Sequence, residues 1–78
     1  EPSPYVIAIQ NIDRPGVIGK IGTLLGSNDI NIAAMQWSRN RRGEKALSFV
    51  SVDVEVSDDI LAQLQKMDGM LKVSMLKL

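Results

Sequence analysis

The chain has no cysteine and no histidine, and these two absences remove most of the common site chemistries. Without cysteine there are no disulfides, no thiolate zinc sites and no cysteine nucleophile, and without histidine the commonest general base and metal ligand are missing. Only 4% of the residues are aromatic, and nine Lys and Arg balance nine Asp and Glu. This zero net charge argues against strong phosphate-driven binding of nucleic acid. The composition therefore favours a binding domain over an enzyme.

The sequence also lacks a long apolar run. The longest run, at residues 5–9, is far shorter than the ~20 residues that a membrane span requires, so no membrane partner is expected. The 78 residues suffice for one small domain, predicted at residues 5–78, for which self-association or attachment to a larger body is expected. Residues 1–4 contain two prolines and no signal pattern, and they are predicted to be the remnant of a linker in a longer chain.

Four segments have the apolar patterns of β-strands, at residues 5–9, 30–39, 45–55 and 71–78. The first is apolar at odd and even positions, which predicts a central strand covered on both faces. Regular alternation in the second places Ile32 and Met35 on opposite faces. In the third, Val52 and Val54 alternate with polar residues, which predicts one buried face. A polar segment at residues 40–43 is predicted to form the hairpin loop between them.

Two segments carry a single apolar stripe at helical spacing. The first follows Asp13, whose side chain can accept backbone N–H bonds, and Pro15, which suits a first helical turn; Asn28 is predicted to close it in a left-handed turn. The second is predicted to begin at the N-cap Ser57 and to end at Gly69. The order predicts an α+β fold, the ferredoxin-like βαββαβ sandwich, with a four-stranded antiparallel sheet and two helices on one face.

Four glycines follow the first strand, at positions 16, 19, 22 and 26. Their steps of three, three and four match neither the dinucleotide-binding fingerprint nor the P-loop, so a phosphate-binding loop is not predicted. Inside a helix each glycine costs ~1 kcal/mol relative to alanine. Close packing of another backbone is the favoured reason for accepting that cost, and room for a ligand is the alternative.

The same topology occurs in the RNA recognition motif. The expected base-stacking positions hold Ala8 and Leu47, which leaves Phe49 as the one aromatic platform. Base stacking contributes about 1–3 kcal/mol per aromatic residue, so this chain lacks most of the energy that RNA binding requires. An RNA-binding module stays a minor alternative, and no nucleic-acid partner is predicted. The basic residues available to it are Arg39, Arg41, Arg42 and Lys45.

Asp13 and the backbone of Pro15, Gly16 and Val17 suggest a small-molecule site. The start of the first helix offers unpaired N–H groups and a positive dipole end for a carboxylate, and the Asp13 carboxylate suits an ammonium group. Asn31, at the start of the second strand, can both donate and accept. Together these groups fit a zwitterionic amino acid. The alternative is that Asp13 only caps the helix and Asn31 only satisfies loop backbone.

Several stretches of the chain match a known family. They are residues 13–26 (DRPGVIGKIGTLLG), 29–36 (DINIAAMQ), 43–47 (GEKAL) and 67–69 (MDG). They strongly resemble the ACT family of amino-acid-sensing domains, above all its serine-sensing members at the C-terminus of D-3-phosphoglycerate dehydrogenases. Iron–sulfur L-serine dehydratases carry a similar domain and are the alternative parent. The resemblance implies a noncatalytic, cytoplasmic regulatory domain with no cofactor of its own, attached to a catalytic domain that uses NAD.

The resemblance also implies a ligand and a place for it. L-serine would lie between the loop before the first helix of one subunit and the start of strand two of its neighbour. Asp13 would bind the ammonium group of serine, and the backbone of residues 15–17 would bind its carboxylate. Asn31 would reach the ligand from the partner subunit. Asn11 matches a further ligand-facing position. Strand two is an edge in this fold, so a homodimer through that edge is expected. The alternative is an oligomerisation module whose effector site is vestigial.

Overall fold

A computed structural model of the chain describes residues 4–39 and 44–78. Along the chain the elements are β1 (Tyr5–Ile12), α1 (Val17–Ser27), β2 (Ile32–Arg39), β3 (Lys45–Val52), α2 (Asp58–Lys66) and β4 (Met70–Lys77). All neighbouring strands are antiparallel, in the sheet order β2-β3-β1-β4. The predicted ferredoxin-like sandwich is confirmed. Residues 1–3 of the predicted linker and the predicted loop at 40–43 lie outside the described residues.

The core lies between the two helices and one face of the sheet. Its fully buried members alternate along β1 and β3 and follow the apolar stripes of α1 and α2: Ile7, Ile9, Ile21, Leu25, Val50, Val52 and Leu64. The other face carries neither helix, and Leu47 and Phe49 are 37% and 40% exposed there. The prediction of a central strand is confirmed, because β1 lies between β3 and β4. Neither helix covers its second face, yet Val6 on that face is only 8% exposed.

Two strands depart from their predicted pattern. β3 ends at Val52 instead of residue 55, and Val54 is 46% exposed, because the chain turns where Asp53 bonds to the segment before β2. In β2 the register shifts between Ile32 and Ala34, which leaves one extra residue in that strand. Such a bulge reverses the alternation, so Ile32 and Met35 lie on the same face. The predicted opposite orientation of these two residues is wrong.

The ends of α1 differ from the prediction. The helix begins at Val17, after Pro15, and its N-cap is Gly16 at φ 89° with no side-chain cap, so Asp13 does not cap the helix. At the other end Asn28 has φ −106°, and the left-handed residue is Asp29 at φ 58°. Asn28 instead donates from Nδ2 to the Leu24 carbonyl at 2.8 Å. The prediction that Asn28 is the left-handed residue is wrong, because that conformation belongs to Asp29, one position later.

The start of α2 confirms its prediction. Ser57 has an extended backbone and its Oγ accepts from the Ile60 N–H at 3.4 Å, which is the geometry of an N-cap. The helix ends at Lys66, and Gly69 then adopts φ 92° in the turn to β4.

The glycines of α1 do not lie against the backbone of another described segment. A Cβ added at Gly19, Gly22 or Gly26 would meet no atom within 4 Å among the described residues. The predicted close packing inside the domain is therefore wrong. Packing within residues 4–39 and 44–78 therefore does not explain these glycines.

Candidate functional site

The segment before α1 is held at one end of the sheet. The Ile12 N–H donates to the Gly69 carbonyl at 2.7 Å, and the Asp13 N–H donates to the Glu44 carbonyl. Asp13 is only 7% exposed and Asn11 only 1%. Two of the predicted site residues thus lie together in a buried position, where an acidic and an amide side chain are uncommon.

The backbone of residues 15–17 completes this end of the site. Gly16 takes a left-handed conformation that side-chain-bearing residues rarely adopt, and α1 starts immediately after it. No side chain of the described residues caps the helix, so the first N–H groups of α1 lack the usual side-chain acceptor there. Such N–H groups, together with the helix dipole, favour an anionic group such as a carboxylate.

Two buried polar atoms on the helix side of the sheet have no hydrogen-bond partner among the described residues. Asn11 donates from Nδ2 to the Ile12 carbonyl at 2.9 Å, but its Oδ1 is unpaired, and so is the Oγ of the fully buried Ser48. Asn11 pairs with Ala46, and Ser48 pairs with Ile9, so the two side chains are diagonal neighbours on adjacent strands. Buried groups of this kind are rare and mark places where a polar ligand or water belongs.

Sequence reasoning missed Ser48. A signal was present in the alternation of β3, because Ala46, Val50 and Val52 set the buried positions and Ser48 is the polar residue among them. A polar side chain in a series of apolar core positions is the pattern that would have singled it out.

The turn before β4 supports the same loop. Arg14 Nη2 lies 3.5 Å from Asp68 Oδ2, and a Cβ added at Gly69 would lie 2.8 Å from that same Nη2. The two charged side chains are 46% and 82% exposed, so the ion pair itself contributes little stability. The positive φ of Gly69 and the absence of its side chain are what allow Arg14 to cross this turn.

Asn31 lies at the opposite end of the sheet from Asp13. Its N–H donates to Asp53 Oδ1 at 3.1 Å, whereas Asp13 is bonded to Glu44. From Glu44 to Asp53 the chain runs along β3 for nine residue steps, which is roughly 30 Å at about 3.3 Å per residue. One chain therefore does not bring Asn31 to its own Asp13.

Two grooves lie away from Asp13 and Asn31, although the first includes Gly16 of the predicted site. One of about 560 Å³ follows α1 and is lined by Gly16, Leu24 and Met67 among others, with no carboxylate for an ammonium group. Another of about 480 Å³ crosses the helix-free face, where Phe49 is the one aromatic lining residue. The basic residues Arg41 and Arg42 of the RNA-binding alternative lie outside the described residues. Neither α1 nor α2, the helices of the described ranges, has the length and apolarity to cross a membrane.

A sequence model of the ACT domain matches residues 5–69. The chain belongs to the ACT domain family. An ACT domain is a regulatory module and not a catalytic one. Similar proteins include D-3-phosphoglycerate dehydrogenases of Bacillus subtilis, 38% identical over 77 residues, and of Synechocystis, 40% identical over 68 residues. These alignments cover 99% and 87% of this chain but only 15% and 12% of the relatives.

Solved structures agree on the fold of this ACT domain. A homoserine dehydrogenase from Thiobacillus denitrificans superposes with a TM-score of 0.77 at 22% identity, over 94% of this chain and 16% of that protein. The ACT domain of GTP pyrophosphokinase from Chlorobium tepidum superposes with a TM-score of 0.73 at 20% identity, over 97% of this chain and 100% of that domain. The same fold thus occurs in proteins whose names indicate different reactions.

Proposed function

We propose that this ACT domain binds L-serine and provides feedback control to a D-3-phosphoglycerate dehydrogenase of serine biosynthesis. The similarity to dehydrogenases of that name supports the parent enzyme, in which this chain would form about 15% of the length. Serine-dependent inhibition then requires that serine bind one arrangement of the assembled domains better than another, with a coupling of ~1–3 kcal/mol. The catalytic domain and its NAD would belong to the rest of that enzyme.

The separation of Asp13 and Asn31 carries the proposal of a site shared between two copies. β2 is an edge strand, and its last residue, Arg39, pairs with Ala46, which pairs with Asn11. The end of β2 therefore lies at the Asp13 end of the sheet. Antiparallel pairing of two β2 edges about a twofold axis sets the start of one β2 beside the end of the other. The partner's start of β2, with its own copy of Asn31, would then approach Asp13.

The polar groups at the Asp13 end of one sheet and at the Asn31 end of its partner's sheet suit a small amino acid. In this arrangement Asp13 pairs with the ammonium group, and the N–H groups at the start of α1 receive the carboxylate. Asn11 Oδ1 has no partner among the described residues and accepts a hydrogen bond from the ligand. An ammonium or hydroxyl group of the ligand is a suitable donor. Asn31 adds a donor and an acceptor from the second copy.

Thermal unfolding with L-serine, D-serine and glycine tests the ligand. A ligand at ~100 times its Kd adds about 2.7 kcal/mol to the free energy of unfolding, and each kcal/mol raises the Tm of a domain this size by about 4–8 °C. We expect a shift with L-serine alone, abolished by Asp13→Ala. Glu44→Ala is the control, because it removes an exposed carboxylate close to Asp13. We expect this variant to keep the shift. Equal shifts for all three amino acids in both variants would rule out a serine site at Asp13.

Mixed dimers test whether the site is shared. Asp13→Ala and Asn31→Ala each remove both sites of a symmetric dimer when each site takes one residue from each chain. A dimer of one Asp13→Ala chain and one Asn31→Ala chain keeps one complete site of two. Random pairing makes about half of the dimers mixed, so mixing restores serine binding at about a quarter of the wild-type stoichiometry. Mixing restores nothing if both residues act within one chain. Isothermal titration of the refolded mixture distinguishes the two results.

An oligomerisation module with a vestigial effector site is the second candidate. The exposed β2 edge favours it, because strand pairing between copies does not require a ligand. A chain that sediments as a dimer but shows no Tm shift with L-serine, or with a panel of other amino acids, would establish this second function in place of the first.

A further inference from the structure

The outer edge of β4 is bonded by a side chain of the same protein. β4 has β1 as its one neighbour in the sheet, so its other edge faces outward. Gln65 of α2 reaches this edge: its Nε2 donates to the Leu71 carbonyl at 3.3 Å, and its Oε1 accepts from the Val73 N–H at 3.0 Å. The amide of Gln65 thus makes both kinds of bond that a neighbouring strand would make.

Strand geometry explains why one amide can replace a strand here. In a β-strand the carbonyl of one residue and the N–H of the second residue after it point to the same side. A glutamine amide carries one acceptor and two donors in a plane, as a peptide group carries an acceptor and a donor. Val73 has a single N–H, and because Gln65 occupies it, an additional strand cannot bond there without displacing the side chain.

We propose that Gln65 blocks the β4 edge against strand addition by a second copy of this chain, so that pairing between copies is confined to the β2 edge. A sheet with two open edges can pair at both, and two such contacts per chain produce an unending assembly instead of a closed dimer. The exposed side chains beside the β4 edge make it prone to such pairing, since Leu71 and Leu76 are 41% and 39% exposed. Blocking at β4 does not depend on serine binding.

Sedimentation velocity of Gln65→Ala tests the block. Gln63→Ala is the matched control, because Gln63 is an exposed glutamine of the same helix. We expect wild type and Gln63→Ala to have the same mass at every concentration. The weight-average mass of Gln65→Ala should at least double relative to that of Gln63→Ala as concentration rises, while circular dichroism shows that it is folded. Equal masses for the two variants at all concentrations would overturn the proposal.

A second variant separates strand pairing from aggregation of unfolded chains. Val73→Pro removes the N–H that an added strand would use, and proline is tolerated where the N–H faces away from the sheet. We expect Gln65→Ala combined with Val73→Pro to return to the wild-type mass. A double variant that still forms the larger species would show assembly by another route and refute the block. A wild-type chain that is monomeric instead of dimeric contradicts the proposed β2 pairing but leaves this comparison intact.

Discussion

Asn31 and Asp53 are joined by two hydrogen bonds, from the Asn31 N–H to Asp53 Oδ1 and from the Asp53 N–H to the Asn31 carbonyl, each 3.1 Å long. This pair ends β3 and fixes the residue that precedes β2. It also holds Asn31 at the sheet end remote from Asp13, so the geometry of the proposed shared site depends on it.

Replacing Asp53 should weaken both the fold and the ligand response. Asp53→Ala removes the bond to the Asn31 N–H, and we expect a loss of about 1 kcal/mol, or a Tm lower by about 4–8 °C. The Tm shift produced by L-serine should shrink as well, because Asn31 loses its fixed position. Glu55→Ala makes the same change of charge at an exposed site and serves as control. An unchanged serine shift in Asp53→Ala would disconnect Asn31 from the ligand.

Adding a methyl group to α1 should stabilise the isolated domain. Gly22 is half-buried, yet a Cβ there meets no atom within 4 Å in the described residues. Gly22→Ala should therefore raise the free energy of unfolding by about 0.5–1 kcal/mol, as expected for glycine to alanine within a helix. Urea unfolding of a dilute sample measures the change. Destabilisation of the dilute sample would contradict this prediction and mean that the added methyl group is strained within the single chain.

The opposite sign is expected at Gly69. Its φ of 92° is unfavourable for residues with a side chain, and a Cβ there would lie 2.8 Å from Arg14 Nη2. We expect Gly69→Ala to lower the free energy of unfolding by about 1–2 kcal/mol. Combining it with Arg14→Ala relieves the clash but not the backbone strain, so a double-mutant cycle separates the two causes. A full recovery in the double variant would mean that strain contributes nothing.

The hydroxyl group of Ser48 should be unnecessary for folding. It is fully buried and has no partner in the part of the chain that the structure describes, so Ser48→Ala removes a buried polar group without leaving a partner unsatisfied. Without ligand, we expect urea unfolding to show a stability equal to or up to ~1 kcal/mol above that of wild type. Ser51→Ala, on the same strand but facing the helix-free side, is the control. A marked loss of stability would reveal a hydrogen bond to Ser48 in solution.

Local sequence patterns determined the elements of this protein. Apolar residues at helical spacing predicted both helices, and the Ser57 cap was correct because the bond from Ile60 joins residues three apart in the chain. Gly69, predicted at the end of the second helix, lies in the short turn between α2 and β4. These features depend on neighbours in the sequence, and together with the order of the elements they specify the sandwich.

Only the tertiary structure decided how the ends of those elements meet. The bulge before Ala34 and the end of β3 at Val52 depend on bonds between segments about twenty residues apart, which no local pattern encodes. Asp13 likewise bonds through its backbone to Glu44 instead of serving as a cap. The distance between Asp13 and Asn31 follows from strand order and register. Long-range contacts of this kind place the two candidate ligand-binding residues, Asp13 and Asn31, at opposite ends of the sheet.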